Sequence, residues 1–494
     1  MRLAGLDIGS TGCKVAVYAD TGEYLGKVYQ DYPVQRVNSE HEADASAIWQ
    51  AVRTLLARAA EEYPGIGGVG VTSFGESFVL LDEDDTPLLP VMLYTDPRGA
   101  EECQKLSEGL GTENIIRKTG VAPAPMYSLP KLMWVKENRP ELWEKTRRIC
   151  LMEDYIVYLL TGSAQIDYSL AARTMAFDIH SLNWSEEMLS AAGIDSNLLS
   201  KPVPTGTSAG CIRGELAKEL GLGEDVQIVS ISHDQVAAAV GSDVFDESCA
   251  VDGAGTVECI TPVFEDYDPM QMASGSYAIV PYVTPGKYVC YAFSFTGGGL
   301  VDWFTKNLAG YAKRTAEQTG EDIHAVLESG YRNRPTGLLV LPHFAGAATP
   351  YMDTGSKGAI LGLSVENTQQ DLYLGCMEGV VYEMRLNMDR LKEAGVEVKA
   401  LRATGGGARS KVWLQMKADI LNIPVTSLRS EEAGAAGSAM LVGVAVGVFA
   451  DLAEAARVMV VPRDTYLPRE EVHALYEDTY RRYTKVYHAV RPLV

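Results

Sequence analysis

Short apolar runs broken by glycine-rich turns dominate the first thirty positions. Leu3 to Ile8 is apolar but for Asp7 and runs into Gly9-Ser10-Thr11-Gly12. Lys14 to Tyr18 follows as a second strand-like run, then a turn at Asp20-Thr21-Gly22 and a third run, Leu25 to Tyr29. A hairpin tip rich in Gly, Ser and Thr frees backbone amides to face an anion. Ser46 to Tyr63 has the helical period, with Ile48, Val52, Leu55 and Leu56 on one face. Val69 to Thr72 and Ser77 to Leu81 read as strands, and Lys131 to Val135 and Tyr155 to Leu160 as apolar helix segments. The opening pattern returns near the middle. Val226 to Ile231 is a buried-strand run, Ser232-His233-Asp234-Gln235 opens an Ala-rich helix, and Cys249 to Val257 carries another glycine turn. Setting Gly9-Ser10-Thr11 against Gly255-Thr256-Val257 predicts a duplication, with domains 1–248 and 249–494. Arg469 to Val490 is amphipathic and reads as a closing helix.

The stretch from Ala433 to Ala450 carries no charge, which raises the question of a membrane span. Its four glycines and flanking acids favour a helix buried against another backbone, so the chain reads as soluble. Hydrophobic residues at 47% and charged residues at 22% are ordinary globular values. With Lys plus Arg at 43 against Asp plus Glu at 65, the net charge of −22 argues against nucleic-acid binding. It leaves room for an anion held by backbone amides. Eight scattered cysteines without a C-x-x-C, and no export signal, point to reduced thiols in the cytoplasm. The histidines show no zinc spacing.

Standard nucleotide signatures are missing. Gly65-Ile66-Gly67-Gly68-Val69-Gly70 matches G-x-G-x-x-G but follows a helix and precedes a strand, the reverse of a dinucleotide fingerprint. There is no Walker A motif, no protein-kinase set and no nucleophile elbow. What remains is four glycine turns with acids or hydroxyls nearby: Asp7 to Thr11, Asp252 to Thr256, Thr296 to Gly299, and Thr404 to Ala408. Together they point to a nucleotide gripped by backbone from two lobes. Asp7, at a strand end, could hold Mg²⁺ mostly through water. Asp234, between a strand and a helix, could cap the helix or act as a carboxylate base, or both.

In the order they occur, several segments resemble the FGGY carbohydrate kinases of the actin/hexokinase superfamily. They are Leu6 to Lys14; Glu42-Ala43-Asp44 with Ile48-Trp49; Tyr94 to Arg98; Met126 to Val135; Asp167 to Asp178; Gly358 to Gly379; and Ala403 to Gln415. Ala45 stands where the family usually has proline, and Gly375 where Ala or Ser is usual. The resemblance implies an α/β fold of two actin-like, ribonuclease H-like domains with a nucleotide and sugar cleft between them. It also implies ATP and Mg²⁺ as cofactors and a small-molecule sugar as substrate. By that resemblance Asp234 is the base and Asp7 the metal-side carboxylate. Ser10, Thr11 and Lys14 would meet the β/γ-phosphates, Thr256 and Gly298 the phosphates from the second lobe, and Gly406 and Ser410 the adenosine. A homodimer stays open.

The substrate is less legible. Glycerol kinases carry an Arg-Glu pair and an aromatic where this chain has Gly75, Glu76 and Met126, so glycerol is disfavoured. The branch stays open between fuculokinase- or rhamnulokinase-like and xylulokinase-like members, and a ketose of five or six carbons is expected. Glu76, Ser77, Asp234 and His233 are its candidate contacts, His233 equally as a residue behind the site. Two other classes remain: a different actin-fold ATPase, and a non-catalytic sugar or nucleotide sensor of the same fold.

Overall fold

The computed structural model describes residues 1–37, 40–430 and 432–494. Its chain divides into two compact units. One comprises Met1–Phe245, Ala278–Val289 and Glu432–Val460; the other comprises Asp246–Tyr277, Cys290–Glu431 and Val461–Val494. Measured against the expected halves 1–248 and 249–494, the segments Ala278–Val289 and Glu432–Val460 pack with the first unit.

The first unit is built on a sheet of β1 (Arg2–Ile8), β2 (Gly12–Ala19), β3 (Tyr24–Asp31), β4 (Ile66–Ser73), β5 (Thr207–Cys211) and β6 (Gln227–His233), in the order β5-β6-β4-β1-β2-β3. The β1–β2–β3 meander is antiparallel, β4 and β6 run parallel to β1, and β5 closes the edge antiparallel. Helix α1 (Ala45–Glu62) is capped by Asp44, whose carboxylate accepts the Ser46 amide at 2.8 Å. Its predicted face, Ile48, Val52, Leu55 and Leu56, is fully buried in one core with Leu6, Ile8, Val15 and Val71. At about 1.5–3 kcal/mol for each such side chain, this stripe is what holds the helix to the sheet. The glycine-rich piece after α1 is indeed a helix-to-strand turn, with Gly65 at φ 90°.

The second unit repeats the plan. Strands β7 (Ala250–Ala254), β8 (Glu258–Phe264) and β9 (Ala292–Ser294) form the meander; β10 (Leu401–Thr404) and β11 (Val425–Leu428) add parallel to β7; and β12 (Pro462–Tyr466) closes antiparallel. The strand-pairing scheme of the first sheet thus recurs, as the paired glycine turns predicted. Helix α2 (Gly298–Asn307) starts in the Gly297-Gly298-Gly299 turn, α3 (Gln369–Glu393) supplies a long buried face, and α4 (Lys411–Leu421) follows the Gly406–Arg409 turn.

The uncharged stretch forms α5 (Ala433–Ala445), which belongs to the first unit and packs beside Asp234–Val240. Glycine is required at that crossing. A Cβ on Gly437 would lie 1.9 Å from the Ala237 carbonyl oxygen, and one on Gly241 would lie 1.9 Å from that of Ala433. Among the described residues no helix is long and apolar enough to cross a membrane. The predicted closing helix is two pieces, Glu470–Tyr483 and Val486–Val490.

Candidate active site

In the first unit the sheet brings its charged residues to one end. Asp7 of β1 and Lys14 of β2 are cross-strand partners, and Lys14 Nζ lies 3.2 Å from Asp7 Oδ2. The same ammonium lies 2.9 Å from Oε2 of Glu432, just before α5. Burial opposes the lysine charge, but Asp7 and Glu432 outweigh it and hold Lys14 charged. Burial pushes the Asp7 carboxyl up against the pull of Lys14, with Asp234 and Glu432 adding repulsion. Ser10 and Thr11 form the hairpin tip beside them, where the Gly9 amide donates to the Gly12 carbonyl at 2.9 Å.

Asp234 is the first residue of the helix Asp234–Val240, and the cap is His233. The capping alternative for Asp234 is therefore corrected: Nδ1 of His233 accepts the Gln235 amide at 3.4 Å. Asp234 stays partly exposed, while its Oδ1 is buried and takes no hydrogen bond. Burial pushes this carboxyl up to about 6, against donors from Gln235 and the charges of Lys14 and Arg173. His233 is buried, and burial together with Arg173 lowers its imidazole to about 3, so it is neutral.

Glu76 sits in a left-handed turn at φ 65°, held by Ser128, whose hydroxyl donates to the Glu76 carbonyl at 2.7 Å. Lys131, from the same signature segment, donates to the Asp96 carbonyl at 2.9 Å and the Pro125 carbonyl at 2.6 Å. That segment therefore builds the loop carrying Glu76. Arg173 Nε donates to Glu76 Oε1 at 2.6 Å, and its guanidinium lies 5.3 Å from the Tyr127 ring centroid. Gly75 and Met126 themselves carry no cation or ring, as read from the sequence, but Arg173 and Tyr127 bring both to Glu76. Arg173 reaches Glu76 from a distant segment and lies over Gly75, where a Cβ would stand 3.0 Å from Arg173 Cγ. Tyr94, half-buried, feels the charges of both Glu76 and Asp234. Ser77 is fully buried, which sets it behind the surface.

In the second unit, a cavity of about 910 Å³ is lined by Thr256, Gly298, Gly406 and Ser410, together with Glu328 and Trp413. Four positions widely spaced in the sequence thus come together. The triple-glycine turn folds onto the β7–β8 hairpin: the Gly298 amide donates to the Gly255 carbonyl and that of Gly297 to the Thr256 carbonyl, each at 2.8 Å. Gly405, at φ 84°, makes the sharp exit from β10 that only glycine adopts freely. Ser410 caps α4 by accepting the Trp413 amide at 3.0 Å, and its hydroxyl donates to Glu328 at 2.7 Å.

Two family models match in tandem: the FGGY family of carbohydrate kinases, N-terminal domain, over 3–241, and its C-terminal domain over 254–446. The chain belongs to the FGGY family of carbohydrate kinases. It is 26% identical to the xylulose kinase of Lactococcus lactis over 98% of this chain and 96% of that protein. To the gluconokinase of Bacillus subtilis it is 29% identical, over 89% and 86% respectively. The crystal structure of a ligand-bound xylulose kinase from Lactobacillus acidophilus shares the fold, with a TM-score of 0.89 at 23% identity over 99% of this chain and 98% of that one. The FGGY chain is thus an ATP-dependent sugar kinase with two domains of the actin-like fold.

Proposed function

We propose that this kinase transfers the γ-phosphoryl group of ATP to a hydroxyl of a ketose, a pentulose or hexulose, with Asp234 as general base. The observation that carries this is the Asp234 carboxylate: half-open, pushed up to about 6, and within the electrostatic reach of Asp7 and Lys14. A base poised near neutrality is what proton removal from a weakly acidic alcohol needs. The sugar oxygen gives its proton to Asp234 as it bonds to the γ-phosphorus. The bond from that phosphorus to the β–γ bridging oxygen breaks, and ADP leaves. Ser10, Thr11 and Lys14 are offered for the β/γ-phosphates, and Lys14 offsets the charge gathering there. Thr256 and Gly298 are offered for the phosphates, and Gly406 and Ser410 for the adenosine. Asp7 stands at a strand end with Lys14 Nζ 3.2 Å from one oxygen, and among the described residues no three acids, histidines or cysteines cluster to enclose an ion, so Asp7 would hold a hard cation mostly through the ion's waters. Bound Mg²⁺ would supply charge neutralisation on the phosphates. Glu76 is the sugar's polar anchor, aligned by Arg173, with Ser77 and His233 behind the contact surface. Full-length likeness to xylulose kinases supports the ketose, and a cytoplasmic setting fits such a substrate.

ADP release measured across ketopentoses, ketohexoses, aldoses, glycerol, erythritol and gluconate tests this. At least one ketose should exceed glycerol by about 10² in kcat/KM, the scale of losing polar partners in a built site. Glycerol, erythritol or gluconate as the best substrate would overturn the ketose.

A further inference from the structure

Asp234 and His233 adjoin in sequence at the end of β6, and their side chains face one another. His233 Nδ1 lies 3.1 Å from Asp234 Oδ1, the buried oxygen that takes no hydrogen bond. The ring nitrogen is an acceptor there, because it already takes the Gln235 amide and the imidazole is neutral. Two acceptor lone pairs at that distance repel while Asp234 is ionised. A proton on Oδ1 turns the same contact into a hydrogen bond from the carboxyl to Nδ1, at 3.1 Å closer than the Gln235 amide at 3.4 Å with which it shares the ring nitrogen's one lone pair. His233 cannot turn away freely. Its backbone amide donates to Ser169 Oγ at 2.9 Å, and the Ser169 hydroxyl donates to Asp167 Oδ1 at 2.7 Å. Asp167 is fixed in turn by the amides of Ser169 and Leu170, at 3.0 and 2.8 Å. The ring edge abuts Gly75, where a Cβ would stand 3.1 Å from His233 Cδ2.

We propose that His233 is a positioning residue that sets the proton affinity of Asp234, with Ser169 and Asp167 holding its backbone in register. It stabilises the acid form through Nδ1 and gives no donor to the buried Oδ1 of the carboxylate, whose hydrogen bonds come from Gln235. The inference rests on the reading of Asp234 as the base, and it makes that base stronger than its burial alone would. Other charges act on the pair: Lys14 and Arg173 pull Asp234 toward ionisation, Asp7 repels it, and Arg173 and Glu76 act on the imidazole. The effect of His233 must be read against them as a difference between variants.

The test compares the full-length enzyme with His233→Ala and His233→Asn. The pH dependence of kcat/KM is followed alongside the ¹³C-carboxyl titration of Asp234, assigned by its disappearance in Asp234→Asn. Removing the opposing lone pair, or replacing it with an amide donor, should lower the Asp234 midpoint by about one pH unit, more in Asn than in Ala. Ser169→Ala, which loosens the His233 backbone and keeps the ring, should give a smaller shift in the same direction and covers a His233 variant that fails to fold. Midpoints unmoved in the folded variants, whatever the loss of rate, would overturn the proposal and leave His233 as packing. The carboxyl titration reads the pairing without reference to turnover. A shift there with near-normal turnover in Asp234→Asn would remove the base and keep the pairing.

Discussion

Each unit sets a lysine between two carboxylates at its leading hairpin, and the two clusters are treated oppositely by the fold. At the β1–β2 end, Lys14 faces Asp7 and Glu432, with side chains 29%, 17% and 18% exposed. On β7 and β8, Asp252 and Glu258 enclose Lys417 of α4 with 2% or less of any side chain exposed, and Nζ lies 2.5 Å from Asp252 Oδ2. Burial and Asp252 push the Glu258 carboxyl up, while the two acids outweigh burial to keep Lys417 charged. The same strand scheme therefore hosts one cluster that solvent and ligand can reach and one sealed beneath the triple-glycine turn, where a Cβ on Gly297 would lie 2.9 Å from Glu258 Oε2. Charge at an open strand end is available to chemistry. Charge sealed under a turn can only fix the turn's position.

The contrast is broken most sharply by exchanging which property each cluster loses. Asp234→Asn should cut turnover by about 10² or more, the scale for removing a general base, with ATP affinity nearly unchanged. Its melting temperature at pH 8 should equal or exceed the parent's, because an ionised carboxyl is removed from a place that burial makes unfavourable. Near-parental turnover would reassign Asp234 to a structural role. Lys417→Met should do the reverse. Leaving two buried acids without their cation costs about 3–5 kcal/mol, so the midpoint of urea unfolding should drop steeply. A Lys417 variant of normal stability would show that the sealed cluster is held by something other than the ion pair.

The two clusters also mark how far the sequence could be read. The β1–β2 hairpin, the face of α1, the turn at Gly65 and the repeat between Gly9 and Gly255 were all visible, because periodicity and turn residues are local properties. Asp7 and Lys14 were legible as neighbours, since a short hairpin fixes which residues oppose each other. Their third partner, Glu432, was not, because it arrives on a helix from the far end of the chain. Arg173 lies within the recognisable segment Asp167 to Asp178, yet nothing local tells that its side chain lies on Glu76 rather than in solvent. Lys417 shows no sequence signal beyond a charge on an apolar helix face, which is itself the clue that a buried counter-charge must exist. The uncharged stretch reads as a buried helix and is one, but which backbone it meets depends on glycines on both partners.

Acidity separates the clusters more gently. With Asp234 at about 6, kcat/KM should fall roughly tenfold for each pH unit below that value, as one proton blocks the base. The stability change has the opposite sense. The folded state holds that proton to a higher pH than the unfolded chain does, so this group's contribution to stability declines between about pH 4 and pH 6 and is flat above. Asp234→Asn should abolish both trends, and a rate profile flat from pH 7 to 5 would place the base elsewhere. Glu258 should leave the rate profile untouched over that range, because its carboxyl is sealed from the reacting groups.

The smallest effect is expected where chemistry and structure share one side chain. Ser410 caps α4 and donates to Glu328 at the wall of the second-unit cavity. Ser410→Ala removes an acceptor from the first turn of the helix, a loss of about 1 kcal/mol in stability. It also leaves Glu328, whose carboxyl burial already pushes up, without the hydroxyl that opposes the shift. If adenosine lies against this wall, the KM for ATP should rise a few-fold while kcat and the sugar KM stay close to the parent's. Ser410→Asp, which restores the cap but sets an acid against Glu328, should recover helix stability and weaken ATP further. An ATP KM that tracks stability through both variants would mean that Ser410 serves α4 alone, and that the nucleotide is held by other residues of the cavity.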